Sequence, residues 1–256
     1  MKKVLTLSVL ALAVISTTAS AMSINLRHEY MDSDGDQGSR NRDRMTLAHT
    51  FANGIGISGE IKWQQEPNSD GDEDFGFGHL KSAGHETVVS YNYKVTDKFT
   101  LQPAYGLDDN DSATTHKLNL KGTYKFTDKW NVALRYRYGY KNNADYGAAN
   151  SHYHQINLTS GYVVGQFGLG IDFEWKIDQE ASSGYKGDES YLNLVNFTAD
   201  YRGFESGWIP FIELGYVSQN TEKYLDAAGK SHEDGRTKEG LDTYNMRYRF
   251  GVKYNF

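Results

Sequence analysis

The chain has 256 residues, no cysteine, 26 glycines, 19 tyrosines and only 3 prolines, with a net charge of -6. The acidic excess argues against nucleic acid as a partner, and the absence of cysteine excludes a disulfide-stapled exported scaffold. Mean hydropathy is -0.66, which suits either a soluble all-β domain or a transmembrane barrel, where only every second strand residue meets lipid.

Lys2 and Lys3 open the chain, residues 4–15 are mostly apolar, and Ala19-Ser20-Ala21 supplies an A-x-A site. This order predicts a secretory signal peptide over residues 1–21 and one mature domain over residues 22–256. The apolar stretch falls short of the roughly 20 residues a spanning helix needs.

Period-2 alternation dominates the mature domain. Strands are predicted at 23–31, 40–51, 55–64, 86–95, 99–107, 115–126, 130–141, 152–164, 167–177, 190–202, 208–218 and 244–256. In 130–141, Trp130, Val132, Leu134, Tyr136, Tyr138 and Tyr140 alternate with Asn131, Ala133, Arg135, Arg137, Gly139 and Lys141. In 244–256 an apolar row ending on Phe256 alternates with Arg247, Arg249 and Lys253. Many of these segments exceed the 5–6 residues usual in soluble sheets and match the roughly 9–11 that cross a membrane. The tenth segment alternates poorly, and Pro210 must stand at a strand end or bulge in the eleventh.

Connections alternate in length. Asn53-Gly54, Thr96–Lys98, Thr127–Lys129, Gly165-Gln166 and Gly203–Gly207 are short turns. Met31–Ser39, Gln64–Glu86, Asp108–Thr114, Asn142–Ser151, Asp178–Glu189 and Gln219–Asp242 are longer and mostly rich in Asp, Gly and Ser. The first two carry Asp32, Asp34, Asp36 and Asp70, Asp72, Glu73, Asp74. Short turns on one side and long polar loops on the other predict an all-β fold: a transmembrane antiparallel β-barrel of 12 strands in the outer-membrane lipid, both termini periplasmic.

With the apolar face toward lipid, the other face lines a lumen. Its positions hold seventeen Arg and Lys against seven acids: Glu29, Glu60, Glu86, Asp172, Glu174, Asp200 and Glu213. A low-dielectric filled interior would not hold ten surplus positive charges, whereas a water-filled one would hold them and attract anions. Twelve strands should leave a narrow channel. The candidate pore-lining residues are Arg27, Arg42, Arg44, Lys117, Lys121, Arg135, Arg137, Arg247 and Arg249. The opposing expectation is that the acids pair with these bases and plug the lumen, leaving a closed structural or adhesive barrel.

Trp130, Tyr140, Tyr244 and Phe256 are expected at membrane interfaces. His28, Asp43, His49 and His116 fall on outward positions, and His152 and His154 share a face. Polar groups there must lie near an interface or pair between neighbouring strands. No G-x-S-x-G, metal signature or phosphate loop occurs, so no catalytic centre, metal or cofactor is expected.

Several segments also resemble a known family. Ser23-Ile24-Asn25-Leu26-Arg27-His28-Glu29, Asp43-Arg44, His49–Gly54 and Glu60-Ile61-Lys62-Trp63 resemble the opening of the oligogalacturonate-specific porins (KdgM type). Ala133-Leu134-Arg135-Tyr136-Arg137 and the stretch Arg247–Tyr254 are similar to the same family. The resemblance implies a monomeric twelve-stranded barrel, lined with arginine and lysine tracks, that passes acidic oligosaccharides such as oligogalacturonate. Some relatives pass sialic acid. Carried over by position, it implies a track through Arg27, Arg44, Arg135, Arg137, Arg247 and Arg249. The acidic second loop is a departure, and alginate oligomers would fit a narrow basic pore equally well.

Overall fold

The computed structural model describes residues 21–31, 40–65, 80–144, 150–180, 190–218, 224–225, 231–232 and 244–256. The expected leader up to residue 20 lies outside the described residues, as do the acidic loop residues Asp32, Asp34, Asp36, Asp70, Asp72, Glu73 and Asp74. Twelve long strands run in chain order: β1 (Ala21–Met31), β2 (Arg40–Thr50), β3 (Ile55–Gln65), β4 (Leu80–Tyr91, continued by Tyr93–Lys94), β5 (Phe99–Asp109), β6 (Ala113–Lys125), β7 (Trp130–Asn143), β8 (Ser151–Val164), β9 (Phe167–Glu180), β10 (Ser190–Tyr201), β11 (Trp208–Ser218) and β12 (Tyr244–Asn255). A two-residue ribbon, Tyr224–Leu225 with Ser231–His232, stands apart from them.

Each strand pairs antiparallel with its sequence neighbours, and β1 closes the sheet on β12 from Ser23↔Asn255 to Met31↔Arg247. Closure removes both sheet edges, which is what lets a sheet sit in hydrocarbon with its backbone polar groups satisfied. The strands are 11–14 residues long, enough to span with tilt. At the short-turn end, Gly54 takes φ +91° in the Asn53-Gly54 connection, a conformation that costs glycine little.

The burial pattern is the reverse of a soluble protein's. Leu118, Leu134, Phe197, Ile212 and Phe250 are more than half exposed, while Glu29, Lys117, Gln155, Asn157 and Asn196 are buried. The exposed side chains form continuous rows across the register, such as Leu120↔Tyr136↔Ile156. Aromatic clusters mark the short-turn rim: Trp130 stacks on Phe126 at 4.3 Å, and Tyr254 touches Trp208 at 4.8 Å and Phe256 at 4.7 Å. Tyr140 stands at the long-loop rim, three residues inside the end of β7. The side chain of Tyr244 lies outside the described residues.

Two segments depart from the expected boundaries, and β10 keeps close to its expected bounds but slips in register. β4 begins at Leu80, not at residue 86, because Ala83 bulges between Lys62↔Gly84 and Trp63↔Ser82, with Gly84 at φ +102°. The extra residue breaks the alternation that marks a strand. β10 carries a second bulge at Asn193, between Glu174↔Leu194 and Trp175↔Leu192, which accounts for its poor alternation. The expected loop Asp108–Thr114 is a tight turn: Asp108 and Asp109 belong to β5, and Asn110 Oδ1 accepts from the backbone of Ser112 and Ala113 at 2.8 and 3.0 Å. An Asx side chain that mimics a turn in this way lets a short segment reverse the chain. Pro210 lies third in β11, one residue before its pairing with β10 begins at Phe211.

Candidate functional site

Strand alternation points Arg27 and Glu29, Arg44 and Thr46, Glu60 and Lys62 to the concave face. Strands sit about 4.8 Å apart, so second-neighbour contacts form readily only where side chains converge inside a barrel. Several such contacts occur. Arg27 on β1 reaches over β2 to Glu60 on β3 at 2.8 Å. Lys62 on β3 reaches over β4 to Asp108 on β5 at 2.7 Å. Arg247 on β12 reaches over β11 to Asn196 on β10 at 3.1 Å.

The interior charges form three groups. The first runs across β3, β2, β1, β12 and β11. Glu60 takes Arg27, Arg44 at 3.2 Å and Thr46 Oγ1 at 2.9 Å. Glu29, only 2 % exposed, takes Arg249 Nε at 2.6 Å and lies 3.8 Å from Arg44. Arg249 Nη1 then donates to Glu213 at 3.0 Å. A buried carboxylate beside guanidinium groups is the geometry in which a charge pair repays its desolvation.

The second group joins β3 to β6. Lys117 Nζ donates to Asp108 at 2.6 Å and to Glu86 at 3.1 Å, while Lys62 holds the other oxygen of Asp108. The sequence places Asp108 in a loop; its position on β5 makes it an interior acid that strand alternation alone misses.

The third group, on β6 to β10, is built mainly from amides. Arg135 Nη2 donates to Asn157 Oδ1 at 2.8 Å and lies 3.9 Å from Glu174. Arg137 Nε donates to Asn119 Oδ1 at 2.7 Å. Lys121 is the register partner of Arg135, and no carboxylate holds it among the described residues. Asn157 and Gln155 tie up Asp172 and Glu174, with Asn157 Nδ2 3.0 Å from each acid and Gln155 Nε2 2.6 Å from Glu174. These neutral side chains carry no charge signal, so a count of charges passes over them.

Two cavities flank the charged band. One of about 460 Å³ lies toward the long loops and includes Arg42, Arg44, Lys62, Lys81, Asp108 and Lys141 in its lining. The other, about 450 Å³, lies toward the short turns, with Asn25, Asp200, Arg202, Glu213 and Lys253. Of the nine expected pore-lining residues, Arg27, Arg44 and Arg249 fall in the first ion-pair group and Lys117 in the second. Lys121, Arg135 and Arg137 fall in the third; Arg247 meets an amide, and Arg42 stands at the outer cavity.

A closed antiparallel barrel with an apolar outer face, a charged interior and a cavity at each end defines an outer-membrane porin. Residues 15–227 match the sequence model of the family described as oligogalacturonate-specific porin protein (KdgM). The chain belongs to this family. It is 31% identical over 258 residues, covering 99% of each chain, to the oligogalacturonate-specific porin KdgM of Dickeya dadantii (strain 3937). Among solved structures it is similar to a KdgM porin in complex with disordered oligogalacturonate: TM-score 0.60, 27% identity, 91% of this chain and 99% of that one. A NanC porin shares the fold at TM-score 0.66 and 15% identity, over 91% of this chain and all of the other.

Proposed function

We propose that the chain is a passive, anion-preferring channel for acidic oligosaccharides, oligogalacturonates first among them, acting as a monomer. The observation that carries this reading is the group of Lys121, Arg135 and Arg137, where basic side chains meet amides more than carboxylates. An Arg fork takes a carboxylate bidentately, so the carboxyl groups of a uronic-acid chain are suitable partners for these donors. Exchange between neighbouring cations would keep each site weak enough to release its cargo. The relatives named for oligogalacturonate support this choice of sugar.

The test is the reversal potential of the refolded protein in a planar bilayer under a salt gradient. An anion-selective potential, with current reduced by added oligogalacturonate, is the expected result. Block by oligoalginate alone would change the cargo. Absence of conductance would mean that the interior pairs plug the barrel, and a cation-selective potential would overturn the proposed lining.

A further inference from the structure

The outward face holds a group of side chains that transport does not use. All six histidines of the twelve long strands stand on the lipid-facing rows. Five of them, His28, His85, His116, His152 and His154, lie within five residues of a long-loop strand end. An imidazole facing hydrocarbon without a partner is costly, so these rings belong at the headgroup depth of the outer leaflet.

Their partners divide them. His28 Nδ1 meets Asp43 Oδ1 at 2.9 Å, and His85 Nε2 lies 3.9 Å from Asp109, which also accepts from Thr114. These two carry their own acids. On β6 to β8 the rings meet phenols instead. Tyr105 OH lies 2.7 Å from His116 Nδ1, and Tyr136 OH lies 2.7 Å from His154 Nδ1. A phenol that donates to Nδ1 leaves the neutral ring's proton on Nε2. Neither Nε2 has a hydrogen-bond partner among the described residues, and in the tautomer whose Nδ1 accepts from the phenol each is an N–H donor facing outside the chain.

The register packs the rings together. His116 and His152 flank Tyr140 in one row, and His154 flanks Tyr138 in the next. The rings of His152 and His154 are 6.3 Å apart. Two strand spacings, roughly 10 Å, separate the outer members. Among the described residues, no group of acids and histidines here has the geometry to hold a metal ion.

We infer that this His–Tyr patch on β6 to β8 binds the phosphate groups of an anionic glycolipid of the outer leaflet. The donors point outward, the imidazoles face phenols rather than carboxylates, and the phenols place the patch at the interface. In the tautomer whose Nδ1 accepts from the phenol, a phosphate oxygen satisfies the Nε2–H groups that hydrocarbon cannot.

The test uses the full refolded chain in detergent, with native mass spectrometry counting bound lipopolysaccharide before and after phosphatase treatment of the lipid. The wild type should bind the phosphorylated lipid about tenfold more tightly. The combined variant His116→Phe, His152→Phe, His154→Phe should lose that preference while still binding the treated lipid. Equal binding of the two lipids by the wild type, or a preserved preference in the variant, would overturn the site. Should that variant fail to refold, the single variant His154→Phe is read in the same way: a reduced preference supports the site, and an unchanged one overturns it.

Discussion

The interior has two unlike walls. Across β11, β12, β1, β2 and β3, the acids Glu29, Glu60 and Glu213 hold Arg27, Arg44 and Arg249 in short, shielded contacts. Across β6 to β8, Lys121, Arg135 and Arg137 stand against Asn119 and Asn157, with Glu174 at 3.9 Å as the near acid. Both walls are rich in arginine, yet they cannot do the same work. A guanidinium already held by a buried carboxylate stabilises the barrel, and a substrate carboxylate would have to displace that acid. A guanidinium held by an amide keeps most of its field for an anion in the lumen. Excess charge, not charge, separates the proposed track from the scaffold.

The difference can be broken first at its most buried acid. Glu29→Ala leaves Arg249 and Arg44 without the carboxylate between them and at the β1–β12 seam. It should cost about 3 kcal/mol in urea unfolding, with selectivity moving further toward anions if the variant refolds. On the other wall crowding matters more than charge. A Cβ at Gly139 would lie 2.1 Å from the Tyr153 ring, whose face carries Lys176 at 4.8 Å. Gly139→Ala should therefore cost about 2 kcal/mol, measured the same way. Charge reversal of Arg135 and Arg137 together should weaken oligogalacturonate block about tenfold and shift the reversal potential toward cations. An unchanged potential would remove the β6–β8 wall from the track. The smallest stability effect is expected at Lys121, which has no acid to lose among the described residues: Lys121→Gln should leave stability within about 0.5 kcal/mol while lowering anion preference. A large loss of stability there would show that the two walls are alike.

The outer histidines show how an awkward sequence feature resolves. His28 and Asp43 on a lipid-facing row conflict with strict alternation when each strand is read alone. Register sets them opposite each other, and they bond at 2.9 Å, so two polar groups satisfy each other between neighbouring strands. The same pairing logic reaches Tyr105 with His116 and Tyr136 with His154.

The fold was legible in the residues alone: period 2 sustained over membrane-spanning lengths and an even strand count admit a closed antiparallel barrel, and twelve strands were countable from the turns. The sequence also assigned an expected face to each of the nine basic candidates, because alternation is a local property of the backbone. Where alternation slips, at Ala83 and Asn193, became visible only in the folded barrel, since a bulge is defined by the partner strand. The tertiary structure alone turned Asp108 from a loop residue into the acid shared by Lys62 and Lys117. Above all it sorted the arginines. Whether a charge is spent on a neighbour depends on side chains one or two strands away, often far along the chain, as Arg249 is from Glu29. Such partners meet only when the first strand closes on the last.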